Sequence, residues 1–231
     1  KDLWNDYGVF TTMRVVGKNK KILFFKNHIE NLMRSLKIYG LNKTNLKKNI
    51  LKIIKNSLSK NTNYNHLLRV AINKKMISIS LRKRNKPKLN FKLKLLNYKR
   101  IDPSHKNLKY KKILSYLKKL DNTEYDIALY KNKKFLETGT SNLLFIKNNR
   151  VYSPKNNFYS GITYKFFCKK IKINLKDIYL KNVSSFDEIL LIGSGKAVTS
   201  VFRIDELKWK RKSLNFFNKL NKIYQKKINY A

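Results

Sequence analysis

The chain has 231 residues, with 54 Lys and Arg against 13 Asp and Glu, for a net charge of +41. A hydrophobic fraction of 42% is that of a globular protein and excludes a disordered one, and no apolar run approaches the ~20 residues of a membrane helix. The charge is carried overwhelmingly by Lys spread along the whole length, beside abundant Asn, Ile, Tyr and Phe, so A/T-rich codon drift explains it better than a nucleic-acid face, which favours Arg in one patch. Binding to nucleic acid is therefore expected to be non-specific at most. The single Cys168 excludes an internal disulfide and fits a reducing cytoplasm.

The opening Lys1–Asp6 segment does not read as a signal peptide and runs directly into Tyr7-Gly8-Val9-Phe10, so a further N-terminal strand is expected to precede it. Val9–Val16 reads as a strand ending at Gly17, with Ile22–Phe25 as its hairpin partner. Asn27 is expected to cap a helix carrying Ile29, Leu32, Met33, Leu36 and Ile38, which Gly40 stops. Asn45 opens a second helix with Ile50, Leu51, Ile53, Ile54 and Leu58 on its apolar stripe. Strands follow at His66–Ile72, Met76–Leu81 and Leu89–Leu96. Asp102-Pro103-Ser104 marks a turn, which divides the chain into an N-terminal α+β domain (1–101), a linker (102–106) and a C-terminal domain (107–231). The second part is expected to hold a helix over Leu108–Leu120 and strands at Tyr125–Tyr130, Leu143–Ile146 and Arg150–Tyr152. A helix then starts at Thr163, a strand at Glu188–Ile192 leads into Gly193-Ser194-Gly195, and an amphipathic helix carries Leu214, Phe216, Phe217, Leu220 and Ile223.

His28, His66 and His105 are not spaced as metal ligands, Cys168 has no Cys neighbour, and neither a Walker loop nor a dinucleotide fingerprint is present, so no metal is expected. His28, on a helix, reads as a packing or capping residue. Gly193-Ser194-Gly195 after a strand has the backbone N–H groups to hold a phosphate, although by itself it is an ordinary turn.

Six ordered segments carry a resemblance. They are Tyr7-Gly8-Val9-Phe10-Thr11-Thr12-Met13-Arg14-Val15, Asn27-His28-Ile29-Glu30-Asn31-Leu32, Lys112-Ile113-Leu114-Ser115-Tyr116-Leu117, Leu136-Glu137-Thr138-Gly139-Thr140-Ser141-Asn142-Leu143-Leu144-Phe145, Ser160-Gly161-Ile162-Thr163, and Phe186-Asp187-Glu188-Ile189 through Gly193-Ser194 to Val198-Thr199-Ser200-Val201. In this order they resemble the motifs of the class IV aminotransferases, enzymes that use pyridoxal 5′-phosphate (PLP). The resemblance implies an α+β / α/β fold of two lobes with the cofactor at their junction, a homodimer and a small-molecule substrate.

It also implies roles. Lys112, in preference to Lys109 or Lys111, is implied to form the Schiff base with PLP and to move protons at the substrate Cα. Glu137 is implied to hold the protonated ring nitrogen. The backbone of Ile162 and Thr163, the Thr163 hydroxyl, Ser194 and Gly195 would hold the phosphate, and Tyr116 would either bond the ring oxygen or pack in the core. Two departures stand out: Asn31 replaces the phosphate-gripping Arg of the early helix, with Arg34 one turn on, and the Lys112–Glu137 stretch is short, with the shortening expected near Leu120-Asp121-Asn122. Phe10-Thr11-Thr12 resembles the pattern of 4-amino-4-deoxychorismate lyases rather than that of branched-chain or D-amino acid aminotransferases. On a strand Phe10, Thr12 and Arg14 share a face, which would place Phe10 and Arg14 against substrate and give Thr12 a proton-handling role, while Thr11 points away and is expected to tolerate replacement.

Overall fold

A computed structural model describes residues 3–59 and 61–229. By internal contacts the described residues form two compact units, one of those up to Arg84 with His105–Lys111 and one of Asn85–Ser104 with those from Lys112 onward.

In the first unit, β1 (Gly8–Gly17) is the strand expected from its β-branched and aromatic residues. It pairs antiparallel with β3 (Tyr64–Asn73), which in turn pairs with β4 (Ile77–Lys83). Its other edge holds only a two-residue β2 (Lys21–Ile22), because Phe24 turns into the left-handed region (φ 56°) and α1 (Phe25–Ile38) begins at once. Asn27 therefore lies inside α1 and does not cap it, since the His28 N–H already donates to the Phe24 carbonyl. Gly40, at φ +62°, ends α1 in a reversed turn in which the Leu41 N–H donates to the Leu36 carbonyl, as expected of a glycine stop. Asn45 does precede α2 (Leu46–Asn56); its contribution is a left-handed backbone (φ 62°) and not a side-chain cap. Val9, Met13 and Val15 of β1 and Leu68, Val70 and Ile72 of β3 pack with Ile29, Leu32 and Leu36 of α1 and Ile50 and Ile54 of α2 into one core. The segment before Lys111 is extended, not helical: the Phe10 N–H donates to the Lys106 carbonyl and the Leu108 N–H to the Gly8 carbonyl. The helix expected from Leu108 is thus shorter, and α3 spans Lys111–Leu117.

The second unit is built on a long mixed sheet. Its strands are β5 (Phe91–Asn97), β6 (Tyr125–Lys131), β7 (Lys134–Thr138), β8 (Asn142–Lys147), β9 (Arg150–Pro154), β10 (Ile173–Lys176), β11 (Glu188–Gly193) and β12 (Ala197–Ile204), with a short β13 (Trp209–Lys210) beside β12. Their order is β10-β9-β8-β11-β12-β5-β6-β7. β5, grouped on sequence with the N-terminal half, runs parallel between β12 and β6, so its ladder hydrogen bonds belong to this sheet. Between α3 and β6 the chain turns tightly about Asp121, whose carbonyl accepts from the Glu124 and Tyr125 N–H groups. Phe91, Phe135, Phe145, Phe186 and Trp209 fill the core with Leu143, Leu191, Val201 and Ile204. The remaining helices are α4 (Ile162–Cys168) and α5 (Asn215–Asn229). Glu188 accepts from the Phe216 and Phe217 N–H groups (2.8 and 2.9 Å), placing a carboxylate on otherwise unsatisfied donors at the start of α5. In α5 the deeply buried residues are Leu220 and Tyr224, while Phe216, Phe217 and Ile223, and Leu214 just before the helix, are half-buried. No helix among the described residues is long and apolar enough to cross a membrane.

Candidate active site

The second unit gathers most of the expected residues into one connected set. Lys112 is the second residue of α3; its side chain is exposed and its Nζ lies 4.9 Å from the centre of the Tyr98 ring. The next residue, Ile113, is fully buried and packs on Gly139, where an added Cβ would stand 3.3 Å from Ile113 and 2.9 Å from Asp126. That close approach seats α3 on the Thr138–Ser141 turn, beside the end of β7 that carries Glu137. Of the two rival lysines, Lys109 belongs to the first unit and donates to the Asn5 carbonyl at 2.7 Å, and Lys111 is an exposed residue at the start of α3.

Glu137 is buried, 5% exposed. Its Oε1 accepts from Arg100 Nε at 2.7 Å and its Oε2 from the Tyr159 N–H at 3.2 Å. Arg100 is itself 3% exposed and donates through Nη2 to the Pro103 carbonyl. Tyr98 and Arg100 leave the end of β5 two residues apart, one against Lys112 and the other against Glu137.

Asn142 ties the segment expected to hold a phosphate to the same set. Its Nδ2 donates to the Tyr159 carbonyl at 2.6 Å and its Oδ1 accepts from the Gly161 N–H at 3.1 Å, which fixes the turn into α4. A Cβ at Gly161 would meet that Oδ1 at 2.9 Å, so glycine is required for the clamp. Ile162 and Thr163 then open α4, and both are buried. Thr163 Oγ1 is buried with no hydrogen-bond partner among the described residues, the kind of buried polar atom that native proteins otherwise satisfy. Ser194 and Gly195, half-buried, form the turn after β11, and Gly193 lies against Thr140 and Ser141. Ala197, just beyond, has φ +58°, a left-handed backbone uncommon for an alanine. Lys196, buried in the same turn, donates to the Asn122 carbonyl at 2.5 Å and covers the Phe91 ring.

Asp126 is fully buried on β6 and accepts from the Thr138 and Thr140 hydroxyls. Burial pushes its carboxyl above the ordinary range, opposed by the nearby Lys196 charge and those hydrogen bonds.

Tyr116, at 41% exposed, does not pack in the core, which was one of its two expected places. Arg34 is likewise exposed, and Asn31 is half-buried on α1. A cleft of about 740 Å³ lined by Asn97, Tyr130, Lys131, Asn132, Lys133, Tyr179, Leu180 and Lys181 contains none of the expected site residues. No cluster of metal-ligating side chains occurs among the described residues.

In the first unit, Phe10, Thr12 and Arg14 share the face of β1 opposite to Val9, Met13 and Val15. Trp4 packs edge-on against Phe10 with ring centres 5.0 Å apart. Two features there escaped the sequence reading. Arg69 stands directly across from Thr12 in the β1–β3 register and covers the Trp4 ring at 4.5 Å. Thr11 is buried, and its hydroxyl is 2.8 Å from Nδ1 of the buried His28. Burial, reinforced by the charge of Lys106, lowers the His28 pKa to about 3, so this imidazole is neutral.

Residues 8–204 match the family model described as amino-transferase class IV. The chain belongs to that family. Among solved structures, a Legionella pneumophila protein provisionally named a 4-amino-4-deoxychorismate lyase superposes with a TM-score of 0.77 at 18% identity, covering 96% of this chain and 91% of that one. The branched-chain aminotransferase of Thermoproteus uzoniensis, solved with norvaline, gives 0.79 at 17% identity over 95% and 84% of the two chains. The PLP-bound form of a hypothetical aminotransferase from Mycobacterium tuberculosis gives 0.71 at 14% over 94% and 88%. At these identities the likeness establishes the class IV fold, a mixed α/β architecture with two sheets. No curated protein matches the chain.

Proposed function

We propose that this class IV family member is a PLP-dependent 4-amino-4-deoxychorismate lyase that releases pyruvate and leaves 4-aminobenzoate, a step of folate biosynthesis. The residues present suit the cofactor. Glu137 is a buried carboxylate for a ring nitrogen, the N–H groups of Ile162 and Thr163 with the unpartnered Thr163 hydroxyl suit a phosphate, and Ser194 and Gly195 follow Gly193, which lies against Thr140 and Ser141. When bound, PLP supplies a ring that accepts the electron pair left at the substrate Cα. The Lys112 amine holds the cofactor and then takes the Cα proton. Glu137 keeps the ring nitrogen protonated. Arg14 and Arg69 offer guanidinium groups to substrate carboxylates. Thr12 delivers a proton toward the departing pyruvate.

The observation that favours the lyase is the division of labour in Phe10-Thr11-Thr12. Thr11 is committed to His28 in the core, whereas Thr12 stands on the opposite face with Phe10 and Arg14, across from Arg69. The enzyme should form pyruvate from 4-amino-4-deoxychorismate without any keto-acid acceptor. Thr12→Ala should slow turnover by ~10²–10⁴-fold and leave the visible absorbance of the bound cofactor unchanged. Exchange of amino groups between branched-chain or D-amino acids and 2-oxoglutarate, with no pyruvate from the aminochorismate, would overturn the lyase reading in favour of a transaminase. We further propose a cytoplasmic homodimer, which sedimentation at tens of micromolar, ~10⁻⁵ M, would show as a single dimeric species.

A further inference from the structure

We infer that Arg100 is a positioning residue that keeps Glu137 ionised, and through it keeps the proton on the cofactor's ring nitrogen. The inference rests on the PLP reading above. The pair is closed off from solvent on both sides, with side chains 2% and 7% exposed and Nε–Oε1 at 2.7 Å. Burying two charges is expensive, and a buried ion pair is often matched or bettered in stability by apolar residues of the same volume. Stability alone therefore gives no reason for a charge pair at this place in the hydrophobic interior.

The chemistry of the site gives one. A buried carboxylate without a cationic neighbour tends to take up a proton. Protonated, Glu137 becomes a hydrogen-bond donor and leaves the ring nitrogen neutral, which removes its capacity to draw electrons. A guanidinium in direct contact with the carboxylate reverses that preference. It stabilises the anion, so the shared proton resides on the ring. Two further contacts agree: Oε2 accepts a backbone N–H from Tyr159, a donor that also favours the anion, and Arg100 is anchored by the Pro103 carbonyl. The same two-residue step along the chain that sets Tyr98 against Lys112 sets Arg100 against Glu137, so one short segment serves both the amine and the carboxylate.

The test is the pH dependence of PLP affinity, read from visible absorbance titrations of wild type, Arg100→Met, Arg100→Lys, Glu137→Gln and the Arg100→Met/Glu137→Gln double variant. Protonation of the phosphate and of the lysine contributes alike to every protein, so the comparison isolates Glu137. The acid loss of affinity should move upward by about 1–3 pH units in Arg100→Met, because Glu137 then protonates nearer neutrality. Arg100→Lys should restore most of the wild-type profile. In the Glu137→Gln background, replacing Arg100 should change nothing, and that double variant carries no unpaired buried charge, so it remains informative if Arg100→Met does not fold. An unshifted acid limb in Arg100→Met, or an equal loss of affinity with and without Glu137, would overturn the inference and leave the cofactor reading standing. Wild-type protein that binds no PLP at any pH would overturn both.

Discussion

Asp126 and Glu137 are both carboxylates buried in the β6–β7 hairpin, and the structure treats them oppositely. Glu137 pairs in register with Leu129, and Thr138 with Ala128, so Glu137 lies on one face of the hairpin while Thr138 and Asp126 lie on the other. On its face Glu137 receives a guanidinium and a backbone N–H. On the other, Asp126 receives two hydroxyls and the Ile127 N–H, and burial pushes it toward the neutral form. Threonine hydroxyls satisfy a carboxyl in either protonation state, whereas a guanidinium insists on the anion. The contrast separates a polar group that holds a turn together from one that, on the proposed reading, is kept charged for the cofactor.

Four substitutions sharpen or break this contrast. The largest effect is expected from Glu137→Ala, which takes the carboxylate away from the buried Arg100 guanidinium and should cost ~3–5 kcal/mol in denaturant unfolding of the apoprotein. A loss under ~1 kcal/mol would mean that the pair is open to water and that the distinction from Asp126 fails.

An intermediate effect belongs to the neutral pair of the first unit. Thr11→Ala removes the partner of the buried His28 ring and should destabilise by ~1–3 kcal/mol, in contrast to the tolerance expected from the strand pattern alone. His28 also fixes a pH dependence. Its folded pKa, about 3, is depressed below the ordinary 6.5, so the unfolded chain binds a proton that the folded chain does not. Stability should therefore fall as pH drops below 6.5 toward 3, with a slope of about 1.4 kcal/mol per pH unit from this residue alone. In His28→Phe that part of the slope should vanish from a series of melts.

The smallest effect is expected from Asp126→Asn. The folded-state pKa of Asp126 is raised, so the native state holds a proton that the unfolded chain releases, and stability falls as pH rises from the ordinary Asp range toward the raised value. Asn removes that loss and keeps an acceptor for the hydroxyls, so stability at neutral pH should change by less than ~1 kcal/mol and its dependence on pH should flatten. A large loss on Asp126→Asn would show that this carboxyl too is held as an anion.

Much of this arrangement was legible in the sequence because the relevant signals are local. The Glu137-to-Asn142 spacing and the Gly161-Ile162-Thr163 helix start each lie within a few residues, and the structure connects them through the β7–β8 turn and α4, while the choice of Lys112 over its neighbours stands as part of the proposal. What escaped depends on pairing across the chain. Arg100 meets Glu137 from 37 positions away, and no local pattern marks one arginine in a Lys-rich chain as its partner. Arg69 meets Thr12 only through strand register, and Thr11 meets His28 only because α1 packs on β1. Strand β7 was hidden by the polar Lys131–Lys134 run beside its single turn of apolar sequence, and β10, β12 and β13 by their short or interrupted apolar patterns. For Tyr116 the sequence left a cofactor contact and core packing equally open; packing is excluded because the residue falls on the solvent side of a seven-residue helix whose buried position is Ile113.

The central claim is that Lys112 is the residue that carries the cofactor, beside a Glu137 held ready for its ring. Incubation with PLP, borohydride reduction and peptide mapping tests it most directly. The account predicts a single stable pyridoxyl label on Lys112, lost in Lys112→Ala while the fold is retained. A label on Lys109 or Lys111, or no label on any lysine, would contradict it.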